Sequence, residues 1–140
     1  MYDRERVGKI LSDIERYFSD LESLNVKTPK DLEDKRNFYS VSMVIFSIIN
    51  RAINLGEEAV TANNLGTPST YKDIFYLLGK AGIINERMKN ELSELSSYRN
   101  VFSHEYQNLT EKDVYNALLE MSAVRDFVKR IKVRMKEQQK

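Results

Sequence analysis

A single histidine stands in this chain of 140 residues, His104, inside the stretch Tyr98-Arg99-Asn100-Val101-Phe102-Ser103-His104-Glu105-Tyr106. Imidazole is the one side chain whose ordinary pKa lets it take or give a proton near neutral pH. Arg99 lies five positions before it and Tyr106 two after. A guanidinium is permanently charged and matches the geometry of a phosphate, so arginine and histidine together are the smallest kit for cleaving RNA without a metal. In that chemistry His104 is the general base that deprotonates a ribose 2′-hydroxyl for attack on the adjacent phosphorus. Arg99 is the clamp on the phosphoryl oxygens as charge builds. A cyclic phosphate and a free 5′-hydroxyl are the products. One histidine cannot be acid and base at once, whereas a symmetric dimer would bring a second His104 into the same cleft. The ordinary alternative for a lone histidine near a helix end is a capping or surface residue.

Other chemistries find little support in these residue types. Bundle metal sites use Glu-x-x-His pairs, but position 101, three before His104, is valine and no second histidine exists. Glu57-Glu58 reads as a solvated patch, so no metal ligands are expected. The five glycines (8, 56, 66, 79 and 82) form neither a phosphate loop nor a dinucleotide fingerprint, and no cofactor is expected. No serine sits in a strand-to-helix elbow. The absence of cysteine excludes disulfides, thiolate metal sites and a thiol nucleophile.

Charge is unevenly spread. Seven of the 22 basic residues and two of the 21 acidic ones fall in 125–140, giving that segment +5 and leaving −4 in 1–124. The basic residues are Arg125, Lys129, Arg130, Lys132, Arg134, Lys136 and Lys140. They would either track a phosphate backbone or complement the negative end of a helix dipole. The start, Met1-Tyr2-Asp3-Arg4-Glu5-Arg6, lacks a signal-peptide core. The most apolar run, Val41 to Ile49, is broken by Ser42 and Ser47 and is short for a bilayer. A soluble, cytoplasmic protein with no membrane partner is expected.

The elements that must position Arg99 and His104 are helical nearly throughout. Val7, Ile10, Leu11, Ile14, Phe18 and Leu21 recur at helical spacing and predict a first amphipathic helix. Thr28-Pro29-Lys30-Asp31 reads as the start of a second helix, running to about Ala62 and stopped by Asn63-Asn64-Leu65-Gly66. A similar start at Thr70-Tyr71-Lys72-Asp73 opens a third, which stops near Gly82. A fourth begins around Asn85 and carries Met88, Leu92 and Leu95 up to Arg99. If helix continued through both Arg99 and His104, five residues would set them about 140° apart. An ending near Phe102-Ser103 would instead let His104 swing back beside Arg99. Thr110 caps a fifth helix, with Asp113 reciprocating, Leu109 stapling onto Val114, and an apolar stripe of Val114, Ala117, Leu118, Met121, Val124, Val128 and Ile131. The second helix leaves little of its circumference polar (Val41, Met43, Val44, Ile45, Phe46, Ile48, Ile49, Ala52, Ile53, Leu55), so it is either central in the bundle or also buried in a dimer. No repeat or linker breaks the chain. The expectation is one all-α domain over 1–140, an up-and-down bundle of four to five helices that dimerises, with its basic helix end at 125–140.

With these elements in place, Arg99-x4-His104-x-Tyr106, with Asn100 after the arginine, resembles the signature of HEPN-domain proteins, specifically the HepT-like toxins. The likeness extends over roughly residues 36–130. Leu65-Gly66-Thr67-Pro68, then Thr70-Tyr71, Phe75 and Leu78, then Gly82-Ile83-Ile84, resemble the family's middle section, and Asn108-Leu109 to Val114-Tyr115 resemble its lead into the last helix. The resemblance implies a bundle that forms a homodimer with two motifs facing a shared cleft, and a metal-independent endoribonuclease acting on RNA as the toxin of a toxin–antitoxin pair. The implied partner is a minimal nucleotidyltransferase antitoxin that transfers AMP to Tyr106, blocking RNA and occupying the arginine. Carried over by position, Arg99 and His104 are catalytic, Tyr106 is the AMP acceptor, and Asn100 is a supporting polar residue or a helix C-cap. Family members often place two aliphatic residues before the histidine, where this chain has Phe102 and Ser103. The competing expectations are a non-catalytic nucleotide- or RNA-binding helical partner of a nucleotidyltransferase, and a purely structural bundle.

Overall fold

Short polar side chains at the helix starts divide the chain. In a computed structural model, residues 1–104 and 106–139 are described, the side chains of residues 104, 106 and 139 excepted. Among the described residues are five α-helices and no strand: α1 (Arg4–Leu24), α2 (Lys35–Ala62), α3 (Tyr71–Lys80), α4 (Glu86–His104) and α5 (Glu111–Gln139). Each start is closed by a side-chain oxygen that takes an otherwise orphaned backbone N–H. Asp3 accepts from Arg6 N (3.1 Å), Asp34 from Arg36 N (2.8 Å) and Asn85 from Met88 N (2.8 Å). Thr70 and Asp73 form the expected reciprocal box, as do Thr110 and Asp113.

The start at Thr28-Pro29 is corrected. It opens only a 3-10 turn, Pro29–Glu33. Asp31 there accepts from Lys27 N (2.8 Å) and Thr28 N (3.0 Å), as its position predicts. Asp34 then takes an extended conformation (φ −71°, ψ 120°) and becomes the true cap, so α2 begins at Lys35. Two carboxylates three residues apart each close their own turn, and Leu32 is buried between them. The stops agree with expectation: Asn64 (φ 54°) and Gly66 (φ 104°) leave α2 through the left-handed region, and Gly82 (φ 76°) does so after α3.

Helix α2 is central: it packs against α1, α3, α4 and α5. Val41, Ile45, Ile48, Ile49, Ala52, Ile53, Leu55 and Ala59 are all buried in the common core. By length and composition α2 also suffices to cross a bilayer, although the run Val41–Ile49 does not; in the bundle it is the core helix. An apolar remainder stays uncovered, with Tyr39 60% and Met43 65% exposed. They line a groove of about 390 Å³ with Phe38, Phe46, Phe102 and Leu109. Gly56 lets α2 approach α3, since a Cβ there would lie 2.6 Å from Cγ2 of Ile74 and 3.2 Å from Cε1 of Phe75.

Between α1 and α2 the polar interior is well paired. Asp13, 3% exposed, accepts from Nε of Arg51 at 2.9 Å, from the other arm of the same guanidinium and from Nζ of Lys9 at 3.2 Å. These partners, Arg51 first, hold the Asp13 carboxyl below its usual range.

The α5 stripe is buried at Val114, Ala117, Met121, Val124, Val128 and Ile131, with Leu118 half-buried. Phe127, outside the expected stripe, is also fully buried and meets Phe75 edge-to-face at 5.8 Å. Several of the helix's cations are engaged across the bundle. Arg125 pairs with Glu22 (3.0 Å) and lies over the ring of Phe18 (3.9 Å), and Lys132 pairs with Glu15 (2.8 Å). Arg130 donates to the carbonyl of Ile83 (2.7 Å) and Arg134 to Oδ1 of Asn63 (3.1 Å). The basic segment thus also holds α5 to its neighbours.

Candidate active site

Apolar spacing sets the orientation of α4. Leu92 and Leu95 point into the core, and Tyr98 and Phe102, one turn apart, meet edge-to-face at 6.3 Å. This leaves Arg99 beside the core rather than in it, half-buried. Its Nε donates to Oδ1 of Asn50 on α2 at 3.3 Å, and its guanidinium lies 5.4 Å from the centre of the Tyr71 ring at the start of α3. One bond from α2 and one cation–π contact from α3 thus aim the arginine. Neither contact removes its charge, and both leave donors of the five-donor fork free for a phosphate-like group.

Asn100 is exposed on the next position. Its reading as a helix C-cap is overturned, because α4 runs four residues further. It lines a cavity of about 690 Å³ with Tyr71, Ser96 and Ser97. The hydroxyl of Ser103, next to the histidine, donates back to the carbonyl of Asn100 at 3.4 Å.

Helix α4 ends at His104, and Tyr106 opens the short 3-10 turn Tyr106–Asn108. The side chains of His104 and Tyr106 lie outside the described residues, so the expectations for them are fixed by backbone position alone. That position decides between the two alternatives open in the sequence. The helix does not end at Phe102-Ser103 but continues through residue 104. Positions 99 and 104 are therefore about 140° apart around one axis and do not share a face.

Two residues escaped sequence reasoning. Asn50 is a lone amide in the apolar stretch Ile48, Ile49, Ala52 and Ile53 of α2. A polar residue so placed signals a partner on a packed helix, and that partner is Arg99. Tyr71 follows a helix cap, and its role depends on the α3–α4 contact, which sequence spacing does not reveal.

Just behind the motif, α4 and α5 face each other with like charges. Burial, and then the Glu94 carboxylate, push the Glu120 carboxyl up to about 7. Burial, followed by Glu120 and Glu94, also raises the pKa of the Tyr98 hydroxyl. Oε2 of Glu120 and Oγ of Ser93 are buried without a hydrogen-bond partner among the described residues. No group of three or more acidic, cysteine or histidine side chains among the described residues is arranged to hold a metal.

Solved structures agree on the fold. The chain superposes on a cytosolic protein of unknown function from Bacillus subtilis with a TM-score of 0.84 at 22% identity, covering 99% of this chain and 95% of that one. It superposes on a tri-AMPylated Shewanella oneidensis HEPN toxin, solved in complex with an MNT antitoxin, with a TM-score of 0.82 at 20% identity, covering 95% of this chain and 99% of that one. A toxin–antitoxin crystal structure with AMP-PNP gives a TM-score of 0.82 at 19% identity over 91% of this chain and 97% of that one. No curated protein matches the sequence. The model of the HepT-like ribonucleases matches residues 9–131, and the chain belongs to that family.

Proposed function

We propose that this protein is a metal-independent endoribonuclease, the toxin of a toxin–antitoxin pair, working in the cytoplasm as a homodimer. The observation that carries the reading is the held arginine. Arg99 is positioned by Asn50 and Tyr71 from two other helices, five residues before the chain's only histidine. In the proposed reaction His104 takes the proton of a ribose 2′-hydroxyl and the 2′-oxygen attacks the adjacent phosphorus. Arg99 holds the non-bridging oxygens as charge accumulates. The bond from phosphorus to the 5′-oxygen breaks, and the leaving oxygen takes a proton from the histidine of a second copy.

The helical phase favours this two-copy arrangement, since positions 99 and 104 stand about 140° apart around the axis of α4. The uncovered apolar face at Tyr39 and Met43 adjoins Phe102 and Ser103 of the motif in one groove, which supports pairing of copies there. A minimal nucleotidyltransferase is the proposed antitoxin, adding AMP to Tyr106. The tri-AMPylated state of the Shewanella toxin and its MNT partner support this part of the reading. Phosphates added two residues from the base would compete with RNA for Arg99.

The test is incubation of purified, unmodified protein with end-labelled RNA in EDTA, beside His104→Ala and Arg99→Ala. Loss of a general base or a charge clamp lowers the rate about 10²- to 10³-fold. Cyclic phosphate ends that vanish in both variants are the expected result. Intact RNA after incubation with protein shown by mass spectrometry to carry no group on Tyr106 would sink the catalytic reading and favour a non-catalytic nucleotide- or RNA-binding partner.

A further inference from the structure

The cavity between the start of α3 and the last turns of α4 encloses about 690 Å³. Sites for small organic groups span about 300–1,000 Å³, so one nucleotide fits. Tyr71 belongs to its wall and also lies under the Arg99 guanidinium at 5.4 Å, with 36% of the residue exposed. On α4, Ser97 and Asn100 are one turn apart, both exposed and both in the wall. Glu57 of α2, whose Oε1 accepts from Asn54 at 3.2 Å, also lines the cavity.

These groups sort the two halves of a nucleotide. The carboxylate of Glu57 accepts from the amine of a base, and Lys72 in the same wall offsets its charge. The Asn100 amide offers a donor and an acceptor to a base edge, and Tyr71 offers an aromatic surface for stacking. The guanidinium that attracts phosphate lies at the Tyr71 edge of the cavity. We propose that this cavity is the subsite for the nucleoside beside the cleaved phosphate of the RNA, its base stacked on Tyr71 and read by Asn100, Ser97 and Glu57. The inference rests on the ribonuclease reading and adds a base-binding site to it. A base that presents an exocyclic amine towards Glu57 is favoured.

The test compares binding of two non-cleavable RNAs, 2′-deoxy at the cut site, one intact and one abasic at the neighbouring nucleotide. Wild-type protein binds the abasic RNA about tenfold more weakly, the scale of one lost stacking contact. Tyr71→Leu binds both alike, Tyr71→Phe restores the difference, and Glu57→Gln changes the base preferred beside the cut in cleavage assays. Should Tyr71→Leu fail to fold, Ser97→Leu on the exposed face of α4 fills the same cavity and abolishes the same difference. A wild-type enzyme that cuts RNA yet binds intact and abasic RNA equally overturns the subsite and leaves the nuclease standing. A protein that neither binds nor cuts RNA overturns both.

Discussion

Arg51 and Asn50 are neighbours on α2, yet they serve opposite sides of the molecule. Arg51 reaches α1 and closes on Asp13, a buried carboxylate with Lys9 as a second partner. Asn50 reaches α4 and meets Arg99 through a single bond of 3.3 Å. Behind Arg99, the α4–α5 contact brings Glu94 against Glu120 and leaves the Ser93 hydroxyl and one Glu120 oxygen without partners among the described residues. The α1–α2 side has opposite charges matched and satisfied. The motif side holds like charges and incomplete hydrogen bonding. Local conflict of this kind concentrates where a structure serves function rather than stability, and here it lies beneath the helix that carries the motif.

The strongest way to break this contrast is Arg51→Met, which leaves the Asp13 carboxylate buried without its main cation. The largest fall in thermal stability among these substitutions is expected, read by calorimetry at pH 7. Because Asp13 is held below its ordinary pKa, the wild-type contribution is present above pH 3.8 and is lost as pH falls through the lower folded value. The stability gap between wild type and Arg51→Met therefore closes in acid.

Asn50→Ala is expected to act on the reaction instead. Arg99 loses one of its two positioning contacts, and misplacing a catalytic group by about 1 Å can cost about 10²-fold in rate, so cleavage is expected to fall at least about tenfold. The half-buried guanidinium can turn to water, so the melting temperature changes little. Cleavage unchanged by this substitution would show that Tyr71 alone holds Arg99.

Glu120→Gln is expected to stabilise. The Glu120 carboxyl moves from 4.5 to about 7 on folding, so the folded state binds the extra proton between those values. Stability from this group is full below pH 4.5 and is lost as pH rises through about 7. Glu120→Gln should therefore raise stability at pH 8 by about 1 kcal/mol, discounted for solvent screening of a partly exposed pair, and by much less at pH 5. The smallest effect belongs to Ser93→Ala. Removing a buried, unpartnered hydroxyl from a helix interior should add about 0.5 kcal/mol. A loss of stability instead would mean that Ser93 has a partner and that the motif side is better satisfied than its contacts show.

Much of the fold was legible because its signals are local. Helical spacing of apolar residues and the boxes at Thr70-Asp73 and Thr110-Asp113 depend on residues three or four apart. Thr28-Pro29 misled because a second cap, Asp34, follows within one turn, and choosing between them depends on burial of Leu32. The end of α4 stayed open in the sequence, and packing decides it: Phe102 continues the Tyr98 face and its burial carries the helix on to residue 104. At the site, Arg99 and Asn100 could be named from the motif. Asn50 and Tyr71 come from 49 and 28 positions away, and only the packing of three helices brings them to the arginine.

Helix α2 has a consequence for how the chain must be made. Before folding, it carries a stretch long and apolar enough, by composition alone, to cross a membrane, and exposed apolar helices of this kind invite aggregation. During synthesis α1 emerges first, a few residues ahead, with Val7, Ile10, Ile14 and Phe18 ready to cover one flank. The opposite flank waits until α3, α4 and α5 leave the ribosome. The interval between the second helix and the fifth is thus the period of greatest exposure, and slowing translation there should send more of the chain to chaperones than slowing it anywhere else.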